Sequence, residues 1–382
     1  MKIAVSSTST IPSTTANSIQ VLMACQGLVQ NGQEICLWIP GKESLDFDLL
    51  REQYGLTCQS FPVLPIRSIK RLHRLDFSRQ TEKESRKWGA DCIYTWTIQI
   101  ALIASRHRLP VIFEVHDLPK GTFGKRWFDE FAKSDTMKRF VFITRALEEE
   151  VCAEYPNLKK SDCLIAPNGI NPEEYQDLPN SHEAKKEMGF EDRVIASCSG
   201  HLYPGRGVEL FLHLAREFPE IKFYWFGGTA DSVKYYREKA AESGLKNVIF
   251  TGFIPKSKIP LAQAASDFLL MPYEKTIAGS SGGNSAAICS PMKMFEYLAA
   301  GKPILASDLP VIHEILDPTC AVFCEPENLS SWIEGLKMLL GHPEEAAKLA
   351  AAAKRKSSFY SWKNREKMII DALTEGKNAN KS

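Results

Sequence analysis

Twice along the 382 residues of this chain, short apolar runs alternate with amphipathic stretches, and no other feature of the sequence constrains the fold as tightly. Such alternation implies parallel sheets covered by helices, because a parallel neighbour is reached only through a crossover long enough to hold a helix. In the first series, residues 2–5, 33–39, 91–94, 110–115 and 140–143 read as strands. Residues 18–30 carry apolar side chains at helical spacing, and a further helix starts near Arg145. The pattern stops in a turn-rich stretch, IAPNGINPEEY (165–175), and polar residues running to Asp192 read as a linker. A second series then begins, with strands at 194–198, 222–226, 248–252, 268–271 and 303–306. Helices are expected at 208–217, 232–243, 258–265 and 291–300, and again through 330–375.

The expected architecture is therefore α/β, with two Rossmann-like domains. Residues 1–180 form the first and 190–360 the second. An apolar fraction of 44% lets each bury a core. In open α/β sheets, ligands bind beyond the carboxyl ends of the strands. Lys and Arg (47) nearly balance Asp and Glu (46), which argues against a nucleic-acid partner. The first residues, MKIAVSSTST, read as a strand and not as a signal peptide, and no apolar run reaches the roughly 18 residues of a membrane span. Ten cysteines are scattered; only Cys320 and Cys324 stand close, and no second pair completes a zinc site. Free thiols in a reducing, cytoplasmic setting are the simpler reading.

Three segments carry chemistry. In SPMKMFEYLAAGKPILASD (290–308), Pro291 suits a first helical turn, Gly301 ends the helix and Pro303 prevents its continuation. Lys293 and Glu296, three apart, share a face near the helix start, where Ser290 and the free backbone amides favour phosphate and the carboxylate suits ribose hydroxyls. In CSGHLYPGRGVELFL (198–212), Gly200 and Gly207 bracket His201 and Arg206 on a strand-to-helix turn, and a guanidinium suits phosphate oxygens. In FEVHDLP, His116 and Asp117 follow directly on a strand end. Between these, Gly282 and Gly283 of SSGGNSAAIC would let the backbone approach a ligand closely.

These phrases resemble the retaining glycosyltransferases of family four, which have the GT-B fold: two Rossmann-like domains facing a deep cleft, with a C-terminal helix crossing back to the N-terminal domain. FYSWKNREKMIIDAL resembles that returning helix, so about 361–382 would rejoin the first domain. The resemblance runs along nearly the whole chain and is strongest over 166–308. It implies that Glu296, second of a Glu-x7-Glu pair, binds the nucleotide ribose, and that Arg206 binds the donor diphosphate, helped weakly by His201 where an arginine is common. It also implies that His116 faces the donor sugar, and that backbone atoms of Gly252, Phe253 and Ile254, in VIFTGFIP, contact the base. The first glutamate of the pair falls at Ile288, a departure from the family pattern.

The resemblance thus implies transfer of a hexosyl-type group from a nucleoside-diphosphate sugar to a hydroxyl of a glycan or lipid-linked acceptor, as in cell-surface polysaccharide or glycoconjugate synthesis. His116, Arg206 and Glu296 are the expected catalytic residues, with no cofactor and no metal. A sugar-nucleotide epimerase on the same scaffold and a non-catalytic nucleotide-binding partner are the alternatives, Ile288 favouring the latter. A nicotinamide dehydrogenase fits poorly, because SSTSTIPSTTANS, the first strand-to-helix turn, lacks Gly-x-Gly-x-x-Gly. The basic stretch 67–79, with Leu72, Leu75 and Phe77 interleaved, is by default a solvated surface. Its sharper reading is peripheral contact with an anionic inner membrane face. Phe123, Trp127 and Phe128 read as core or cleft wall.

Overall fold

The structure, a computed structural model, describes residues 1–69, 74–277 and 286–379. Gly282 and Gly283, and four residues of the basic stretch (70–73), lie outside the described residues. The chain forms two compact units, Met1–Gly169 with Trp362–Ser382, and Ile170–Ser361.

The first unit holds a parallel sheet of β1 (Lys2–Ser6), β2 (Glu34–Pro40), β3 (Val63–Ile66), β4 (Cys92–Thr95), β5 (Val111–Val115), β6 (Lys138–Phe142) and β7 (Cys163–Ile165). Their order is β3-β2-β1-β4-β5-β6-β7, so the winding reverses between β1 and β4. The crossovers carry α1 (Ala16–Gln30), α2 (Phe47–Tyr54), α3 (Leu75–Trp88), α4 (Ile98–Arg106), α5 (Gly121–Lys133) and α6 (Arg145–Glu154). Every residue of β5 is buried, as a central parallel strand requires. Phe113 there meets Phe128, Phe131 and Phe140 edge-on at 5.9–6.2 Å.

The second unit opens with α7 (Ser181–Met188), then alternates β8 (Ile195–Ser199), α8 (Val208–Glu217), β9 (Lys222–Phe226), α9 (Ala230–Glu242), β10 (Val248–Gly252), α10 (Ile259–Ala264) and β11 (Phe268–Met271). It continues with α11 (Met292–Ala300), β12 (Ile304–Ser307), α12 (Pro310–His313), β13 (Val322–Cys324), α13 (Leu329–Gly341) and α14 (Pro343–Ser357). The parallel order is β10-β9-β8-β11-β12-β13, reversing between β8 and β11. The last helix, α15 (Trp362–Ala379), belongs to the first unit and packs on α1, where a Cβ on Gly27 would lie 2.6 Å from the Trp362 carbonyl oxygen.

Several expectations need correction. The polar stretch after residue 175 is not a linker. Asn180 caps α7 by accepting the Glu183 amide at 3.0 Å, and Gly189 closes it at φ +69°. Ala184 packs against Ala264 and Ala265, and Lys185 pairs with Asp267 at 2.7 Å. The break between units falls instead at Gly169–Ile170, because the NPEEY segment is tied into the second unit: Lys354 Nζ donates to the Tyr175 carbonyl at 2.7 Å, and Tyr175 Oη donates to Gln263 Oε1 at 3.0 Å. Pro291 is the residue before α11, extended at ψ 124°, rather than part of its first turn. Phe77 is fully buried, so it offers nothing to a membrane, while Phe123 is 69% exposed and tilts against Trp127. None of the ten cysteines is in a disulfide.

Candidate functional site

The second sheet concentrates glycines where its winding reverses. The loop after β8 carries Gly200, Gly205 and Gly207 at φ +127°, +84° and +76°, and the segment after β11 runs against it. A Cβ on Gly207 would lie 1.7 Å from the Pro272 carbonyl oxygen, and one on Gly205 2.2 Å from that of Thr276. The Glu274 amide donates to the Gly205 carbonyl at 3.0 Å. Both glycines are therefore required twice over, by left-handed backbone and by close approach. Gly205 went unremarked in the sequence reading, although it stands in the phrase that carries Arg206.

That loop delivers Arg206 onto the face of Tyr273, its guanidinium carbon 4.9 Å from the ring centroid. Lys293, in the first turn of α11, reaches the same ring with Nζ at 4.9 Å. Two cations thus converge on one aromatic ring at the switch point, a contact that cation–π attraction supports. Tyr273 holds the Arg206 pKa above its ordinary value despite burial, so the guanidinium is charged at every working pH. Lys293 Nζ also lies 3.4 Å from Cys198 Sγ. The Tyr297 hydroxyl accepts the Ser199 amide at 2.9 Å and donates to the Leu270 carbonyl at 3.2 Å, pinning α11 to the ends of β8 and β11. His201 stacks on Tyr203 at 4.9 Å, and Ser290 is buried just before the helix.

Glu296 turns to different partners. Its Oε1 pairs with Lys256 Nζ at 3.0 Å, and Gln263 Nε2 stands 3.5 Å from Oε2. Burial alone would lower the Lys256 pKa, but the Glu296 and Glu174 carboxylates outweigh it and raise it. Burial raises the Glu174 pKa, against the pull of Lys256. Neither Lys256 nor Glu174 was singled out from the sequence, since nothing local to either segment places it beside Glu296. Lys256 follows Gly252, Phe253 and Ile254 on one loop, so the segment expected to meet the base also supplies the partner of the expected ribose ligand. Gly252 has φ +79°, its carbonyl accepts the Gly227 amide at 2.8 Å, and Phe253 is 60% exposed. A groove of about 600 Å³ opens beside them, lined by Gly228, Val233, Lys234, Arg237 and Thr251. Ile288, at the position of the first family glutamate, is 6% exposed.

His116 belongs to the first unit, at the end of β5. Its Nε2 lies 3.0 Å from Oε1 of Glu114, a fully buried carboxylate that also receives Gln20 Nε2 and the Tyr94 hydroxyl. Arg365 of α15 completes this set with Nη2 2.6 Å from Glu114 Oε1. Burial would raise the Glu114 pKa; Arg365 and His116 reverse that and hold it near 2. Arg365 also meets Glu366 at 2.5 Å, but one guanidinium cannot neutralise two buried carboxylates, and burial leaves Glu366 raised to about 8. The imidazole is thereby fixed through one nitrogen by an ionised carboxylate.

Two parallel Rossmann-like sheets, the second with its glycine loop and paired cations at the switch point, define the GT-B class. Within it, residues 180–356 match the family described as glycosyl transferases group 1, and residues 18–174 match Glycosyltransferase Family 4. The chain belongs to these family-four glycosyltransferases.

Among solved structures, HepE of Anabaena in complex with UDP superposes with a TM-score of 0.77 at 16% identity, over 98% of this chain and 100% of that one. Sucrose-phosphate synthase from Thermosynechococcus elongatus gives 0.76 at 13% identity, over 99% of each. Among curated proteins, alpha-galactosylglucosyldiacylglycerol synthase of Streptococcus pneumoniae is 26% identical over 220 residues, 53% of this chain and 55% of that protein. The processive diacylglycerol alpha-glucosyltransferase of Acholeplasma laidlawii is 24% identical over 180 residues, 46% of this chain and 50% of that protein. The chain spans about half the length of these curated relatives.

Proposed function

We propose that this protein is a retaining glycosyltransferase, moving a sugar from a nucleoside-diphosphate sugar to a hydroxyl acceptor, and that the second unit holds the donor. The observation that carries this reading is the convergence of Arg206 and Lys293 on Tyr273, beside a loop whose glycines let it pack directly on the segment after β11. As the bond to the sugar breaks, negative charge grows on the leaving diphosphate, and two fixed cations with the amides at the start of α11 meet it. This disposition needs no metal at the diphosphate. Glu296 would exchange part of its contact with Lys256 for ribose hydroxyls. His116, held by Glu114, would serve the donor sugar, as the family resemblance implies.

The relatives named for diacylglycerol glycolipids favour a lipid-linked acceptor and a protein working at the inner membrane face. No described helix is long and apolar enough to cross a membrane, so contact would be peripheral. Exposed Phe123, beside Lys125 and Arg126 on α5, supports such contact alongside the basic stretch. Buried Ile288 favours a second reading, a nucleotide-binding partner without transfer activity.

A thermal-shift panel of nucleoside diphosphates and their sugars tests the reading, since a ligand specific to the folded state stabilises it by mass action. UDP and UDP-glucose come first, as HepE binds UDP. One base should stand out, and donor turnover should depend on an added acceptor. Stabilisation without turnover across acceptors would favour the partner reading; turnover without any acceptor would favour an epimerase.

A further inference from the structure

Glu148 and Cys152 stand one turn apart on α6, and Cys163 opens β7, the edge strand beside β6. Residues four apart share a helix face, so the helix offers a pair of ligands and the strand a third. A Glu148 carboxylate oxygen and the two Sγ atoms all lie within 4.8 Å of one another. Glu148 is 6% exposed. Its carboxylate faces the two thiols. Burial raises both thiols and Glu148 repels each thiolate, while a hydrogen bond between the thiols lowers Cys152 and raises Cys163. Asp162 adds to that repulsion at Cys163, while Lys160 is the one cation that eases it at Cys152. The cluster thus gathers two thiols and a carboxylate, donors of the kind a tetrahedral zinc site uses, around one point.

We propose that Glu148, Cys152 and Cys163 bind one thiophilic divalent cation, zinc, with water as fourth ligand, cross-linking α6 to the edge strand β7. A tetrahedral zinc site with Zn–S of about 2.3 Å places its sulfurs roughly 3.8 Å apart, a contraction of about 1 Å or less from the present cluster. Small side-chain rotations supply it. Loading displaces one proton from each thiol, and the resulting ion, two thiolates and one carboxylate, leaves a net charge of −1 beside Lys160. The partly exposed thiols give the ion a way in. The pair escapes sequence inspection because its cysteines are eleven residues apart and the third ligand is a helical glutamate. All three ligands lie in the first unit, whereas the residues proposed to hold the donor diphosphate lie in the second.

The full chain, stripped with a chelator, is titrated with cadmium while the thiolate-to-metal charge-transfer absorption is followed, then with zinc while its melting temperature is read. The expected result is a band saturating at one equivalent and a melting temperature raised by zinc. Both should be lost in a Cys152→Ser, Cys163→Ser double variant, and affinity should fall roughly tenfold or more in Glu148→Gln, the order of loss seen when a metal site's support is removed. Alkylation mapped by mass spectrometry on the parent needs no variant to fold: zinc should shield Cys152 and Cys163 and leave the other cysteines as reactive as before. No band at one equivalent, a band unchanged in the double variant, or equal alkylation of both thiols with and without zinc would each overturn the proposal.

Discussion

Arg206 owes its place to glycines that admit no substitute. Gly207→Ala would add a Cβ 1.7 Å from the Pro272 oxygen at a backbone φ of +76°. A loss of about 2–4 kcal/mol is expected, within the class of strained-backbone substitutions, and is read as a lower denaturant midpoint. An unchanged midpoint would mean that the loop does not pack as described. Arg206 itself packs on Tyr273 but enters no ion pair among the described residues. Arg206→Ala should therefore slow transfer by roughly a hundredfold to a thousandfold while the melting temperature stays close to the parent's. Glu296→Gln keeps the shape but removes the charge that faces Lys256 and, in the proposed complex, the ribose. Charge-assisted hydrogen bonds contribute about 1.5–3 kcal/mol, so the dissociation constant for the donor nucleotide should rise roughly tenfold to a hundredfold in calorimetric titration. Parent-like binding in this variant would remove Glu296 from the site.

The last helix is a working part of the first unit and not a trailing appendage. Through Arg365, α15 supplies the countercharge to Glu114, and through Glu114 it bears on His116. Removing one partner of a buried pair strands the other, at a cost of about 3–5 kcal/mol. Arg365→Met should thus lower the melting temperature strongly, and Glu114→Gln in the same background should recover part of the loss by discharging the stranded carboxylate. No recovery would place the cost in packing around Trp362 instead. The neighbouring Glu366 sets a pH dependence. Its folded pKa, raised by burial to about 8 from 4.5, means that the folded state holds a proton the unfolded chain has released. That contribution is complete below about 4.5 and is lost as the pH rises through 8. Glu366→Gln cannot ionise, so its melting temperature should fall less than the parent's between these limits. Parallel profiles would refute a protonated Glu366.

Taken as a whole, the molecule holds two units of the same architecture, and two of its expected properties belong to the intact chain. Transfer should survive exhaustive chelation, because in the proposed complex Arg206 and Lys293 would neutralise the diphosphate. Complete loss of activity restored by magnesium or manganese would defeat that expectation. Peripheral membrane contact should appear as co-sedimentation with anionic vesicles at low salt, weakening at high salt, since each basic side chain near such a surface adds only about 1 kcal/mol and is screened. With Phe77 in the core, exposed Phe123 is the apolar side chain to test: Phe123→Ser should reduce vesicle binding without altering stability. Equal binding to neutral and anionic vesicles, or none to either, would leave a soluble acceptor as the better reading.

The central strands were legible from residue order alone. In the second unit β9 and β11 fall where their apolar runs begin and end, because a strand buried on both faces needs such a run, and Pro272 stops β11. The edge strands β3, β7 and β13 were not legible. They are three or four residues long and partly exposed, so they owe their strand character to a neighbour's hydrogen bonds and not to their own composition. Helix α7 reads as a linker in sequence because its polar residues hide a stability that comes from Asn180, Gly189 and a small buried face. The same division runs through the site. Gly200, Gly207, Arg206 and Glu296 could be found because turn geometry and helix spacing are local properties of adjacent residues. Tyr273 between two cations, Lys256 against Glu296 forty residues away, and Arg365 beneath His116 depend on which loops the sheet order brings together, and only long-range packing sets that.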